Sequence, residues 1–166
     1  MNKYEIKVFY LFLLFNVPIS ILIGQNIIYT KTYPSGKPKI ISFIVNKGVD
    51  KVRTEEYFGN GTLKKEGYYQ LGNKQGKWKS YFSGGNLKKE ENFNNDKLDG
   101  EMITWHQNGK KKEKGNFSNG KREGIFFSWK EDGSLYSKKS FVNGLMCYVI
   151  EYSDSGSIVT VDNYCD

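Results

Sequence analysis

The sequence is poor in the residues from which catalytic and metal sites are built. It has one histidine, His106, two cysteines and three prolines among 166 residues. A lone histidine with no second histidine, cysteine pair or acid cluster beside it lacks the ligand spacing of a metal site. No serine stands in a G-x-S-x-G context, and no G-x-x-x-x-G-K-[ST] loop occurs. We therefore predict no catalytic residue, no metal and no cofactor, and interpret His106 as an exposed turn residue.

Proline is missing from most of the chain, where glycine and aromatic residues are frequent. All three prolines precede residue 39, whereas the chain has 18 glycines and an aromatic content of 16%. Aromatic residues favour strands, scattered glycines favour turns, and proline inside a sheet removes a ladder hydrogen bond. The composition therefore indicates an all-β protein.

The first 24 residues form the one long apolar segment. Lys3 and Lys7 precede a run of 17 almost wholly apolar residues, 8–24. A basic start before such a run is typical of a secretory signal peptide, and the run is shorter than the ~20 residues that span a bilayer. We predict a signal peptide at 1–24 and export to the periplasm, the cell envelope or the medium. An uncleaved membrane anchor is the alternative. Cleavage after Gly24 removes two lysines and one glutamate, so the net charge falls from +7 to +6.

A repeat of 24 residues runs from residue 53 to the end of the chain. Two aromatic columns share this period and contain Tyr57, Tyr81, Trp105 and Trp129, and Tyr69, Phe93, Phe117 and Phe141. Two glycine columns share it too and contain Gly61, Gly85, Gly109 and Gly133, and Gly76, Gly100 and Gly124. Independent columns with one period indicate a tandem array. We assign 53–166 to this array and 25–52 to an N-terminal strand or capping segment.

Two turn signals divide each unit into strands. Dipeptides such as Asn60-Gly61 alternate with dipeptides such as Asn119-Gly120, at intervals of 11 to 13 residues. Residue pairs of this kind close tight hairpins. The spacing predicts ten strands of roughly six to eight residues. The predicted fold is an open, single-layer antiparallel meander of hairpins, in which the repeated glycines are turn residues.

The aromatic columns are interpreted as the packing that holds this single layer together. In an ideal strand, residues three apart point to opposite faces, as Trp78 and Tyr81 would. A bulge between them would place both rings on one face. The sequence leaves open which of these two arrangements is adopted; in either case a sheet without a covering helix needs cross-strand aromatic contacts.

The unit reads F-x-N-G-K-x-x-G-x-[WF]-x-x-[YW]-x-x-x-G-x-L-K-K-E and resembles the MORN repeat in its bacterial variant form, a group with an antitoxin-like label. The similarity covers residues 53–162. It rests on glycine pairs such as Gly76 and Gly85, and on aromatics such as Trp78, Phe126 and Trp129. The resemblance implies a scaffold that contacts proteins and sometimes membrane lipids. The antitoxin label implies a cytosolic toxin partner, which the leader argues against.

Lysines also recur with the repeat and suggest a binding surface. Lys64, Lys88 and Lys112 occupy one repeat position, and Lys65 and Lys89 occupy the next. Equivalent residues lie two strands, or about 10 Å, apart, which is near one Debye length. Such a basic stripe suits an acidic protein or another envelope component, or anionic lipid; a solvated face that resists aggregation is the other interpretation. We predict a non-catalytic protein-binding or envelope-scaffold surface, with lipid binding or toxin inhibition as alternatives and no nucleic acid partner.

The two cysteines fall on the two strands of the last predicted hairpin. Folding this hairpin about Ser155 places Cys147 opposite residue 163, two residues from Cys165. Exported compartments oxidise such pairs. We predict a disulfide that clamps the C-terminal end; two free thiols on a frayed end are the alternative.

Overall fold

A computed structural model describes residues 26–46, 48 and 50–165. The predicted signal peptide therefore lies outside the described residues. The strands, numbered in chain order, are β1 (Asn26–Thr32), β2 (Pro38–Asn46), β3 (Lys51–Tyr57), β4 (Leu63–Gln70), β5 (Asn73–Tyr81), β6 (Leu87–Asn94), β7 (Lys97–Leu98), β8 (Gly100–Trp105), β9 (Lys111–Ser118), β10 (Lys121–Trp129), β11 (Leu135–Val142), β12 (Leu145–Tyr152) and β13 (Ile158–Asn163). Within these ranges, no helix has the length and apolar character needed to cross a bilayer.

All the strands belong to one open antiparallel sheet in which neighbours in sequence are neighbours in space. The short β7 and the longer β8 both pair with β6, so together they make one arm interrupted at Asp99. With that arm counted once, β3–β13 are the ten predicted strands, and β1 and β2 extend the sheet on the N-terminal side. The predicted all-β meander is confirmed.

One end of the hairpins is a row of five-residue turns at 33–37, 58–62, 82–86, 106–110, 130–134 and 153–157. In the second turn, the amide of Gly61 donates to the Phe58 carbonyl at 2.9 Å, and the amide of Phe58 donates to the Thr62 carbonyl at 2.8 Å. Gly61 has φ of 92°, a left-handed value that glycine adopts without strain. We call this side of the sheet the wide-turn row.

On the opposite side, which we call the tight-turn row, four turns consist of two residues that are both left-handed, at 71–72, 95–96, 119–120 and 143–144. Asn119 has φ of 48° and Gly120 has φ of 84°, the signature of the type I′ turn whose twist matches the flanking strands. The amide of Gly120 also donates to the Leu98 carbonyl, 2.7 Å away in the preceding hairpin. A backbone hydrogen bond therefore connects this turn to the preceding hairpin.

Three of the repeated glycines were predicted to lie at turns but lie in strands instead. Gly76 and Gly124 lie inside β5 and β10, and Gly100 begins β8. All three have left-handed φ values, of 67°, 74° and 109°. The register between β9 and β10 shifts just after Glu123, where Gly124 stands. These glycines form bulges, which need a left-handed residue as much as a turn does.

Trp78 and Tyr81 lie on opposite faces of the sheet, as in an ideal strand. Trp78 covers Gly67, whereas the Tyr81 hydroxyl bonds to Glu66, the residue next to Gly67 on β4. Adjacent strand residues point to opposite faces. The register with β6 shifts between Ser80 and Tyr81, but the extra residue, Lys88, lies on β6, so side chains along β5 still alternate from Trp78 to Tyr81. We call the side of Trp78 the front face and the side of Tyr81 the back face.

Candidate functional site

The front face carries the apolar core of the sheet. Trp78 and Phe126 are 3% and 2% exposed, and Met102, at the equivalent position of the intervening repeat, is 4% exposed. The flanking aromatic column packs on them edge to face, with ring centroids 5.0 Å apart for Tyr69–Trp78 and 5.1 Å for Phe126–Phe141. These edge-to-face contacts add stabilisation beyond area burial. The column that contains Tyr69 and Phe141 therefore stabilises the fold.

Two glycines that the sequence analysis did not single out make this packing possible. A Cβ atom on Gly67 would lie 2.2 Å from the Trp78 ring, and one on Gly115 would lie 2.3 Å from the Phe126 ring. Each aromatic ring thus lies directly on the backbone of the neighbouring strand. The two glycines are 48 residues apart, or two repeats, and this spacing is the signal that could have identified them.

The back face holds a polar network at its N-terminal half. The Arg53 guanidinium lies 2.6 Å from Glu55 and 3.0 Å from Glu66. The Tyr57 hydroxyl donates to Glu55 at 2.5 Å and the Tyr81 hydroxyl donates to Glu66 at 2.6 Å. Burial and these bonds raise the pKa of both tyrosines. Burial alone would raise the pKa of Glu66, but hydrogen bonds from Tyr81 and Arg53 outweigh it and lower the pKa. Because these groups satisfy one another, the network is structural and offers no free site.

Lysine and aromatic side chains meet across four of the wide turns. The lysine nitrogen lies 5.4 Å from the ring centroid in the Tyr33–Lys39 pair, 5.9 Å in Phe58–Lys64, 5.5 Å in Phe82–Lys88 and 5.9 Å in Tyr136–Lys130. Each pair is six residues apart in sequence, and each distance is within the range of a cation–π contact. The wide-turn row therefore presents a series of cations that rest on aromatic rings.

An open groove of about 440 Å³ lies in the middle of this row. Its lining includes Phe82, Lys88, Lys89, Trp105, His106 and Lys112. Three of the five lysines of the predicted stripe thus line one groove. Glu113 also lines it but is paired with Arg122 at 3.2 Å. Glu131 lines the groove too and its carboxylate is 83% exposed, so the lining charges that lack a lysine, arginine or carboxylate partner among the described residues are those of Lys88, Lys112 and Glu131, with a net charge of +1.

The lysines of the stripe differ in how far they are already neutralised. Lys64 lies 2.7 Å from Glu56, which raises its pKa, and Lys89 lies 2.7 Å from Glu91. Lys65 lies over the Trp78 ring at 5.1 Å, where burial lowers its pKa. Lys88 and Lys112 are exposed, and neither forms an ion pair with any described residue. These two lysines are the cations best placed to meet a partner.

His106 is not the exposed turn residue that the sequence suggested. Its side chain is 11% exposed and contacts Trp129 and Glu131 at the next wide turn along the row. Its Nε2 lies 2.9 Å from the Trp129 carbonyl, and since a carbonyl only accepts, Nε2 donates. Similarly, the Asn108 amide donates to the Glu131 carbonyl at 2.7 Å. His106 therefore fixes one wall of the groove. Among the described residues, no group of three or more His, Cys, Asp and Glu is arranged to hold a metal.

Cys147 and Cys165 form a disulfide in the structure, with their Cα atoms 4.7 Å apart. The amide of Tyr164 also donates to the Cys147 carbonyl at 2.6 Å. The bond therefore joins the end of β13 to β12.

The fold and this surface define a tandem β-hairpin repeat protein with a basic groove. The family model of the MORN repeat variant matches four consecutive stretches, residues 53–71, 74–95, 98–119 and 122–143, which together make up just over half of the chain. The chain belongs to the MORN repeat variant family. Repeats of this family are non-catalytic modules that bind proteins or membrane lipids. The antitoxin-like label receives no support from the match. No curated protein matches the chain significantly.

Proposed function

We propose that the protein is exported and acts as a non-catalytic binding module that holds an acidic partner protein of the cell envelope in the groove of its wide-turn row. The observation that carries this proposal is the pair of unneutralised lysines, Lys88 and Lys112, at one concave site. Export is supported by the basic and apolar leader. The strand β1 begins at Asn26, one residue after the expected mature start.

The groove suits a protein better than a bilayer surface. A membrane-binding surface combines lysines with exposed apolar side chains on the same side. Between residues 58 and 112 of the described chain, Leu71 is the one large apolar residue that is prominently exposed, and it lies in the tight-turn row. The groove instead combines cations with the half-buried ring of Phe82. An acidic loop with an apolar side chain fits this combination.

Photo-crosslinking in cells tests the proposal. A crosslinking residue in place of Gln107, which lines the groove, is compared with one in place of Asn119, an exposed residue of the tight-turn row. We expect an adduct with one acidic protein from position 107 and none from position 119. The adduct should be lost when Lys88 and Lys112 become Glu, and retained when Lys97 and Lys111 become Glu. Equal adducts from both positions would contradict the assignment of the groove.

A second candidate function is binding to anionic lipid, which the regular series of lysine–aromatic pairs favours. These pairs recur along one side of the sheet, so several head groups could be contacted at once. Vesicles of phosphatidylglycerol are compared with vesicles of phosphatidylcholine at low and high salt. Lipid binding predicts co-sedimentation with the anionic vesicles that salt weakens and that substitution of Lys64, Lys88 and Lys112 by Glu abolishes. No co-sedimentation at low salt would leave the protein partner as the sole candidate.

A further inference from the structure

The two outermost strands of the described sheet, β1 and β13, each have one neighbour. β1 pairs with β2, and β13 pairs with β12. The outer side of each strand consequently carries backbone groups that can pair with another chain. Natural edge strands are usually blunted by lysine or proline. The segment Ile158–Asn163 contains neither, and its Val159 and Val161 are 65% and 63% exposed.

The regions around these two strands carry opposite charges. Residues 25–46 contain three lysines, Lys31, Lys37 and Lys39, and no acidic residue. Residues 140–166 contain Glu151, Asp154, Asp162 and Asp166, and no lysine or arginine. One end of the sheet is thus basic and the other is acidic.

The strand directions let one copy continue the sheet of another. β1 runs towards the wide-turn row and β13 runs away from it, because turn 33–37 follows β1 and turn 153–157 precedes β13. Placed side by side, β13 of one copy and β1 of the next are antiparallel, as every other pair in the sheet is. The two wide-turn rows and the two front faces then continue across the junction.

Contacts within the chain show how successive wide turns attract each other. Lys130 forms an ion pair with Asp154 of the next wide turn, and Lys110 donates to the Asp132 carbonyl. At the junction of two copies, turn 153–157 would be followed by turn 33–37, which contains Lys37. Asp154 is 94% exposed despite its contact with Lys130, so it is open to a second lysine.

We propose that the protein associates with a second copy of itself, head to tail, through pairing of β13 with β1. The opposite charges of the two ends favour this contact, whereas pairing of two β13 strands or two β1 strands brings like charges together. A head-to-tail contact uses two different surfaces, so it extends into an open chain rather than closing as a dimer. The inference rests on the proposed removal of the leader, which precedes β1; an intact-mass measurement tests that removal separately.

Sedimentation velocity of the protein purified after expression of the full chain tests this inference. The basic-end variant carries Lys31→Glu and Lys37→Glu, so both of its ends are acidic. The acidic-end variant carries Asp154→Lys and Asp162→Lys, which cancel the remaining charges of Glu151 and Asp166, so its C-terminal end is neutral and no longer attracts a basic end. The control carries Lys97→Glu and Lys111→Glu, two exposed lysines in the middle of the sheet. Circular dichroism verifies that all variants fold.

We expect the average mass of the parent protein to rise with concentration at low salt and to fall back to the monomer at high salt. Each end variant alone should remain monomeric, and an equal mixture of the two should regain association. The control should behave as the parent does. A parent that is monomeric at every concentration overturns the proposal. A closed dimer that only the acidic-end variant loses overturns it as well, because that result assigns the contact to two β13 strands.

Discussion

The front and back faces of this sheet come from the same repeat and are stabilised by different interactions. On the front, Trp78 and Phe126 lie on glycine backbones and are almost fully buried without a second layer. On the back, Arg53 and two glutamates hold the tyrosine hydroxyls. The comparison shows that a single layer can bury an aromatic ring when the neighbouring strand contributes a glycine. The residues of these two networks lie outside the wide turns, where we propose that a partner binds.

Removing one front-face ring should have the largest effect. Phe126→Ala leaves a cavity in the packed column and should lower the free energy of unfolding by about 3–5 kcal/mol. Phe127→Ala, at the adjacent half-buried position of the back face, should cost only about 1 kcal/mol. Urea denaturation measures both variants. Similar losses would show that the two faces contribute equally.

Filling the space under a front-face ring should have the next largest effect. Gly115→Ala places a methyl group where the Phe126 ring lies and should cost about 1–3 kcal/mol. Gly59→Ala is the matched control, because a Cβ atom there meets nothing within 4 Å. The control should change stability by no more than about 0.5 kcal/mol. Thermal unfolding compares the two variants. If Gly115→Ala leaves the stability unchanged, the Phe126 ring does not lie directly on the Gly115 backbone.

Removing one hydroxyl from the back-face network should have a moderate effect. Tyr81→Phe deletes the donor to Glu66 and should cost about 1.5 kcal/mol, since the acceptor is charged. Tyr69→Phe leaves the front-face ring contact intact and should stay within about 0.5 kcal/mol. Chemical denaturation at neutral pH compares the two variants. A larger loss from Tyr69→Phe would reverse the assignment of the two faces.

The back face should also show a pH dependence that the front face lacks. The pKa of Glu66 is lower in the folded protein than its ordinary value of 4.5. The ionised Glu66 side chain therefore contributes to the stability of the fold above pH 4.5. This stabilisation is lost as the pH falls through the lowered pKa of the folded state. The stability difference between the parent and Glu66→Gln should shrink over that acidic range, whereas the cost of Phe126→Ala should not change. Denaturant midpoints measured from pH 7 downwards check both expectations.

Changes to the groove should have the smallest effect on stability. Lys88→Glu with Lys112→Glu alters two exposed side chains that form no ion pair with the described residues, and should change the free energy of unfolding by no more than about 0.5 kcal/mol. The same variant should lose the crosslink from position 107. A destabilised variant would mean that these lysines hold the sheet together, and the loss of the crosslink would then say nothing about binding.

The sequence predicted the meander because turns and aromatic columns recur with one period that any hairpin array must show. It did not predict which side chains lie on which face of the sheet, because the glycines of the bulges, Gly76, Gly100 and Gly124, look like turn residues when the strand register is unknown. Gly67 and Gly115 escaped notice because their role depends on a ring from the neighbouring strand. The groove was predicted only as a stripe of lysines, since the ion pairs of Lys64 and Lys89 depend on side-chain positions across strands.

We propose that the exported chain presents this surface outside the cytosol. The most direct test is the intact mass of the protein recovered from fractionated source cells, with and without reduction. The account predicts a chain that begins at Gln25 in the envelope or secreted fraction and that gains two hydrogen atoms when the Cys147–Cys165 bond is reduced. A full-length chain with free thiols in the soluble cytosol would contradict the account and would direct the search to a cytosolic partner such as a toxin.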